Sequence, residues 1–135
     1  MSGLKLRPMS DDELVAYGRQ RPDLGGPRPG DGQHLFAAEV GGEVVGRLWL
    51  SAPSPSGEPG QGQLHDVEVS PAHRGRGYGR ELMHAAFEQA RQRGCTSLGL
   101  DVAGDNDVAI RLHQSLGFRT ASVRMWKPLS PPSSS

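Results

Sequence analysis

The stretch VEVSPAHRGRGYGR, residues 67–80, limits the fold more than any other part of the chain. Val67 and Val69 alternate with polar residues, the period of a half-buried strand. Pro71 stops that strand, because proline has no N–H to give to a ladder. An Arg- and Gly-rich loop follows and opens directly into a helical pattern. The spacing predicts a helix over 77–93, with Leu82, Met83, Ala86, Phe87 and Ala90 on one stripe and Gly94 as its end. Strand, glycine loop and helix in succession make an anion site. Gly75, Gly77 and Gly79 let the backbone approach a ligand. The helix start offers N–H groups and a positive dipole end, and Arg74, Arg76 and Arg80 add charge.

Thirty of the 135 residues are Gly or Pro, close to twice the usual share of about 12%, and the excess is local. Residues 22–32 hold seven of them and residues 53–62 hold six. Neither stretch is expected to form a helix or a central strand. Between these breaks the elements are short. Residues 4–7 alternate as a strand, and Ser10 to Glu13 match a capping box that starts a helix running to Arg19. Strands at 34–40 and 43–51 flank Gly41-Gly42, a two-residue hairpin signal. The next strand, 63–69, is expected to place His65, Val67 and Val69 on one face and Asp66 and Glu68 on the other. A strand over 97–102, a helix over 106–116 ended by Gly117, and a last strand over 118–126 complete the series. The fold class is α/β, a single domain over 1–127 with a mixed β-sheet flanked by helices. Residues 128–135 read as a flexible tail.

Several classes fall away. No run of 18 apolar residues predicts a membrane span, and the opening residues lack the basic-then-apolar pattern of a secretory leader. The single Cys95 fits a reducing compartment, so the expected setting is cytoplasmic. Fifteen basic and fifteen acidic residues cancel, which predicts no nucleic-acid or membrane partner. His34, His73, His84 and Cys95 have no metal-ligand spacing, and no metal is expected. Cys95 reads as core, and Trp49 and Trp126 as core or interface.

Other glycine loops do not fit. A Walker loop ends in Gly-Lys-Ser/Thr, and a Rossmann fingerprint spaces its glycines G-x-G-x-x-G. The string V-x-V-x-P-x-x-R-G-x-G-x-G instead resembles motif A of the GCN5-related N-acetyltransferases. Downstream, Asn106, Ala109, Leu112, Gly117 and Phe118 resemble that family's N-x-x-A-x-x-L-Y-x-x-x-G-F helix. The resemblance covers residues 34–127. It implies acetyl-CoA as co-substrate and acetyl transfer to a primary amine of a small molecule or peptide. Val67, Glu68 and Val69 would offer backbone groups to the pantetheine arm. Arg74, Gly75, Arg76, Gly77, Tyr78, Gly79 and Arg80 would cradle the pyrophosphate, and Asn106 would hold the cofactor near the arm. The family has two helices between its first two strands. Here one helix and a Gly/Pro loop fill that space, a shortened N-terminal region.

His113 stands where the family has Tyr as the acid near the departing sulfur. It lies two helical turns after Asn106, and its ordinary pKa suits proton exchange. For the base, the alternatives are Asp101, Glu68, His65, or water alone. Each side chain also has a plainer role: a solvated strand face, a partner for a nearby Arg, or a packed core histidine. A non-catalytic acyl-CoA-binding sensor is the competing class, and the last strand is a candidate for pairing two copies as a homodimer.

Overall fold

The computed structural model describes residues 3–22, 32–52 and 59–129. In chain order these form β1 (Lys5–Pro8), α1 (Asp11–Gln20), β2 (Gln33–Val40), β3 (Glu43–Ser51), β4 (Gln61–Val69), a 3-10 turn (Pro71–His73), α2 (Tyr78–Gln92), β5 (Ser97–Leu100) and α3 (Asp107–Ser115). The strands make one sheet in the order β1-β2-β3-β4-β5. All neighbours are antiparallel except β4 and β5, which run parallel. The chain divides into two compact units. Residues 1–101 carry the whole sheet with α1 and α2, and residues 102–135 carry α3. Among the described residues, no helix is long and apolar enough to cross a membrane.

Local chemistry explains the elements. The Ser10 hydroxyl accepts from the Glu13 N–H at 3.2 Å, and the Glu13 carboxylate accepts from the Ser10 N–H at 2.9 Å. This reciprocal cap satisfies two donors that the start of α1 would otherwise leave open. The Arg7 guanidinium and the Ser10 N–H hold the Glu13 carboxyl down to about 2. Gly41 and Gly42 both take positive φ, 59° and 83°, as the tight turn between β2 and β3 requires.

The two faces of β3 and β4 differ. On one, Leu48, Leu50 and Leu64 are buried, as are Leu82, Met83, Ala86 and Ala90 of α2. Gly46 lets these layers meet: a Cβ there would lie 2.5 Å from the Glu68 carbonyl and 3.4 Å from Leu82. On the other face, Tyr17 of α1 packs with Leu35 and Trp49, joined by Met9 and Leu14.

A bulge in β4 changes one sequence expectation. Trp49 pairs with Asp66, but the next residue, Leu50, pairs with Leu64, so His65 is an extra residue. Strict alternation puts His65 with Val67 and Val69. The bulge instead turns it to the Trp49 side, where its ring lies 4.7 Å from the indole.

Other boundaries also moved. β4 begins at Gln61, inside a stretch expected to be irregular. Gly62 suits this position, because Cys95 Sγ and Leu98 each come within 3.1 Å of where a Cβ would sit and would have to shift to admit one. β5 ends at Leu100 rather than 102. The expected strand over 118–126 does not form, and residues 118–129 adopt neither helix nor strand. An alternating pattern makes a strand only against a partner, and among the described residues of its own unit there is no second strand. Trp126 is accordingly exposed, not core. Most of the two Gly/Pro stretches (23–31 and 53–58) and the tail from 130 lie outside the described residues.

Candidate active site

The site begins where β4 and β5 part. Leu64 and Leu100 are their last partners. His65 and Asp101 are the first residues beyond that pair, and the charge of Asp101 acts on the His65 ring. From here to Val69, among the described residues, β4 pairs only with β3. The Ser70 N–H donates to the Val45 carbonyl at 2.8 Å, and the Glu68 carbonyl lies against Gly46. Backbone groups alternate along a strand, so Val67 and Val69 direct theirs to the edge that β5 has left. Glu68 does not share that edge. Of three consecutive residues expected to offer backbone groups to a ligand, alternation places two there.

The edge leads into the glycine loop. Gly75 and Gly77 have φ of 79° and 82°, and Gly77 is the N-cap of α2 without a side-chain acceptor. A Cβ at either glycine would meet nothing within 4 Å, so the backbone conformation, not crowding, demands glycine. The α2 start turns the N–H groups of its first turn toward the loop side, with no side-chain cap from Gly77. These features fit an anionic pyrophosphate. Arg76 is exposed beside them. Arg74 folds back instead, donating to the Val69 carbonyl at 3.1 Å and to Glu68 at 3.2 Å.

Glu68 is thereby held from both sides. Its Oε1 accepts from Arg74 and its Oε2 from Arg47 at 2.5 Å. The plainer role, a partner for arginine, describes its state here. Asp66 is a hub that sequence reasoning missed. Its side chain is 8% exposed. It accepts from the Tyr17 hydroxyl at 2.5 Å, from Arg47 at 3.0 Å and from Arg21 at 3.3 Å. Burial and the bond to Asp66 push the Tyr17 phenol up, so it stays protonated and donates. Arg47 also stacks 4.8 Å over the Tyr17 ring. A signal existed, since Glu13, Tyr17 and Arg21 lie four apart on one helical stripe. These groups border a cleft of about 580 Å³ lined by Glu13, Tyr17, Arg47, Glu68 and Pro71, among others.

His65 bonds through Nε2 to Ser51 Oγ at 2.6 Å. Burial lowers its pKa, opposed by the charge of Asp101. In the second unit, Asn106 caps α3, its Oδ1 accepting from the Ala109 N–H at 3.2 Å. His113 packs edge-on to Phe118, with centroids 5.7 Å apart. Its Nδ1 is buried without a hydrogen-bond partner among the described residues, and burial lowers its pKa. No group of three His, Cys, Asp or Glu residues among those described is arranged to hold a metal.

The sequence model of the Acetyltransferase (GNAT) family matches residues 6–118. The chain belongs to this family. Among curated relatives, the mycothiol acetyltransferase of Sanguibacter keddieii is 34% identical over 95 residues, covering 69% of this chain and 30% of that protein. N-alpha-acetyltransferase RimI of Mycobacterium tuberculosis is 34% identical over 91 residues, covering 67% and 55%. The chain thus spans about a third to a half of the length of these relatives. Among solved structures, YycN of Bacillus subtilis has a TM-score of 0.78 at 24% identity, covering 95% of this chain and 99% of that one. The CoA complex of the aminoglycoside N-acetyltransferase AAC(6')-Iy has a TM-score of 0.70 at 21% identity, covering 94% and 100%. These likenesses establish the GNAT fold, a mixed five-stranded sheet flanked by helices.

Proposed function

We propose that this GNAT chain moves an acetyl group from acetyl-CoA to a primary amine of a small molecule or peptide. The observation that carries the proposal is the β4 edge at Val67 and Val69, left by β5, running into the Gly75–Gly77 turn that starts α2. The edge suits the amide-bearing pantetheine arm. Gly75, Gly77, Gly79 and the α2 N–H groups suit the pyrophosphate, with Arg76 and Arg80 adding charge. Asn106 is assigned to the cofactor arm on the family motif.

In the reaction the amine nitrogen attacks the thioester carbonyl carbon. The C–N bond forms, the C–S bond breaks, and CoA leaves as a thiolate. One proton must leave the amine and one must reach the sulfur. His65 is the base this geometry supports best. Burial keeps its ring neutral near neutral pH, and it sits at the parting of β4 and β5. Glu68 is occupied by two guanidinium groups, and Asp101 acts through its charge on His65. His113 takes the acid role on the family motif.

Calorimetry with acetyl-CoA, followed by CoA release with a panel of amines, tests the proposal. Binding and turnover are expected, with turnover rising with pH as His65 loses its proton. Absence of binding at millimolar acetyl-CoA would reject the cofactor. Tight binding with no CoA release from any amine would return the non-catalytic sensor.

A further inference from the structure

Four side chains on the α1 side of the sheet form a directed chain of hydrogen bonds that ends on His65. The Trp49 indole N–H can only donate, and its partner at 2.7 Å is Gln33 Oε1. That fixes which end of the Gln33 amide is oxygen. The Ser51 hydroxyl lies 2.9 Å from the same atom. An amide oxygen only accepts, so the single proton of Ser51 goes to Gln33. Ser51 is fully buried, and its Oγ is also 2.6 Å from His65 Nε2. With its proton committed, Ser51 accepts there, and Nε2 must carry hydrogen. A neutral imidazole has one N–H, so Nδ1 holds a lone pair.

We infer that Gln33 and Ser51 are positioning residues that lock His65 as the Nε2–H tautomer and present Nδ1 as the proton-accepting atom. The inference rests on the reading of His65 as base. Strand register supports the chain. Gln33 of β2 pairs with Ser51 of β3, which pairs with Gln63 of β4, and Trp49 lies two residues along the same face. The β4 bulge then brings His65 within reach of Ser51. Nε2–H donates to Ser51 in both the neutral and the protonated ring. The base therefore takes up a proton at Nδ1 without rearranging a single bond in the chain. Trp49, 4.7 Å from the imidazole, limits the tilt of the ring.

Long-range nitrogen–proton correlation spectra of the 15N-labelled full chain read the tautomer directly, with His65 assigned by its loss in His65→Gln. A pyrrole-type Nε2 and a pyridine-type Nδ1 are expected for the neutral ring. Gln33→Met removes the acceptor and frees the Ser51 proton to turn toward Nε2. The Nδ1–H tautomer should then appear, and kcat should fall about 2–10-fold, the worth of one hydrogen bond, with the amine KM unchanged. Gln33→Glu keeps an acceptor for both donors and should keep the native tautomer. Nδ1–H in the native protein, or an unmoved tautomer in Gln33→Met, overturns the inference. The native spectrum decides the first point even if the Met variant does not fold. Unchanged turnover in His65→Gln overturns only the role of His65 as base, because the tautomer is read without substrate.

Discussion

The α2 face and the α1 face of the same two strands are held together in different ways. On the α2 side, Leu48, Leu50 and Leu64 share a closely packed interior with Leu82, Met83 and Ala86, and even a methyl group at Gly46 would meet backbone. On the α1 side, directional bonds dominate: Tyr17, Arg21 and Arg47 converge on Asp66, and Trp49, Gln33 and Ser51 lead to His65. Volume governs the first face, where lost atoms leave a cavity. Donor and acceptor matching governs the second, where a lost partner strands a buried polar group. The second arrangement also fixes proton positions, which volume alone cannot do. The proposed base, His65, lies on the face where each bond has a direction.

Substitutions can break this comparison. Leu82→Ala should have the largest effect, a loss of roughly 2–5 kcal/mol in urea unfolding, since Leu82 is 1% exposed. Asp66→Ala comes next, at about 2–3 kcal/mol, because the Tyr17 and Arg47 donors lose their acceptor. A cost within the range of ordinary surface changes would show that bond direction does not govern the α1 face. Arg76→Ala touches neither face and should leave stability alone while weakening CoA binding about 10–100-fold, the worth of a charged hydrogen bond. Unchanged affinity by calorimetry would remove Arg76 from the pyrophosphate site.

The smallest effect concerns Glu13, whose side chain is 31% exposed. Its carboxyl lies at about 2 in the folded chain, against an ordinary 4.5. A lowered pKa stabilises the fold above the ordinary value, and the stabilisation is lost as pH falls from 4.5 toward 2. Glu13→Gln should flatten the acid limb of the stability profile over that window by about 0.2–1 kcal/mol. A profile that superimposes on the native one would assign the Arg7–Glu13 pair no net contribution.

Sequence made the local chemistry legible. Ser10 with Glu13, Gly41 with Gly42, and Gly75 with Gly77 each declare a backbone conformation within a few residues. The family motif is short-range for the same reason, and the proposed cofactor loop rests on it. Of the α1-side network only the Glu13–Tyr17–Arg21 stripe is local, whereas Arg47 and Asp66 come from other elements and no short spacing encodes their meeting with Tyr17. The face of His65 was misjudged because alternation assumes an unbroken ladder, and one extra residue reverses it. The strand expected over 118–126 failed for a related reason: its pattern is local, but a strand needs a partner.

The bulge also makes the imidazole separable from the sheet that carries it. Without residue 65, Leu64 and Asp66 would become neighbours and alternate correctly. Leu50 would still meet Leu64, and Trp49 would still meet Asp66. A deletion of this one codon is thus expected to retain the strand register and the Tyr17–Asp66 anchor while removing the histidine, which amide exchange and turnover would read separately. The scaffold can gain or shed its candidate base in a single insertion or deletion, an evolutionary step that leaves every neighbouring side chain facing as before.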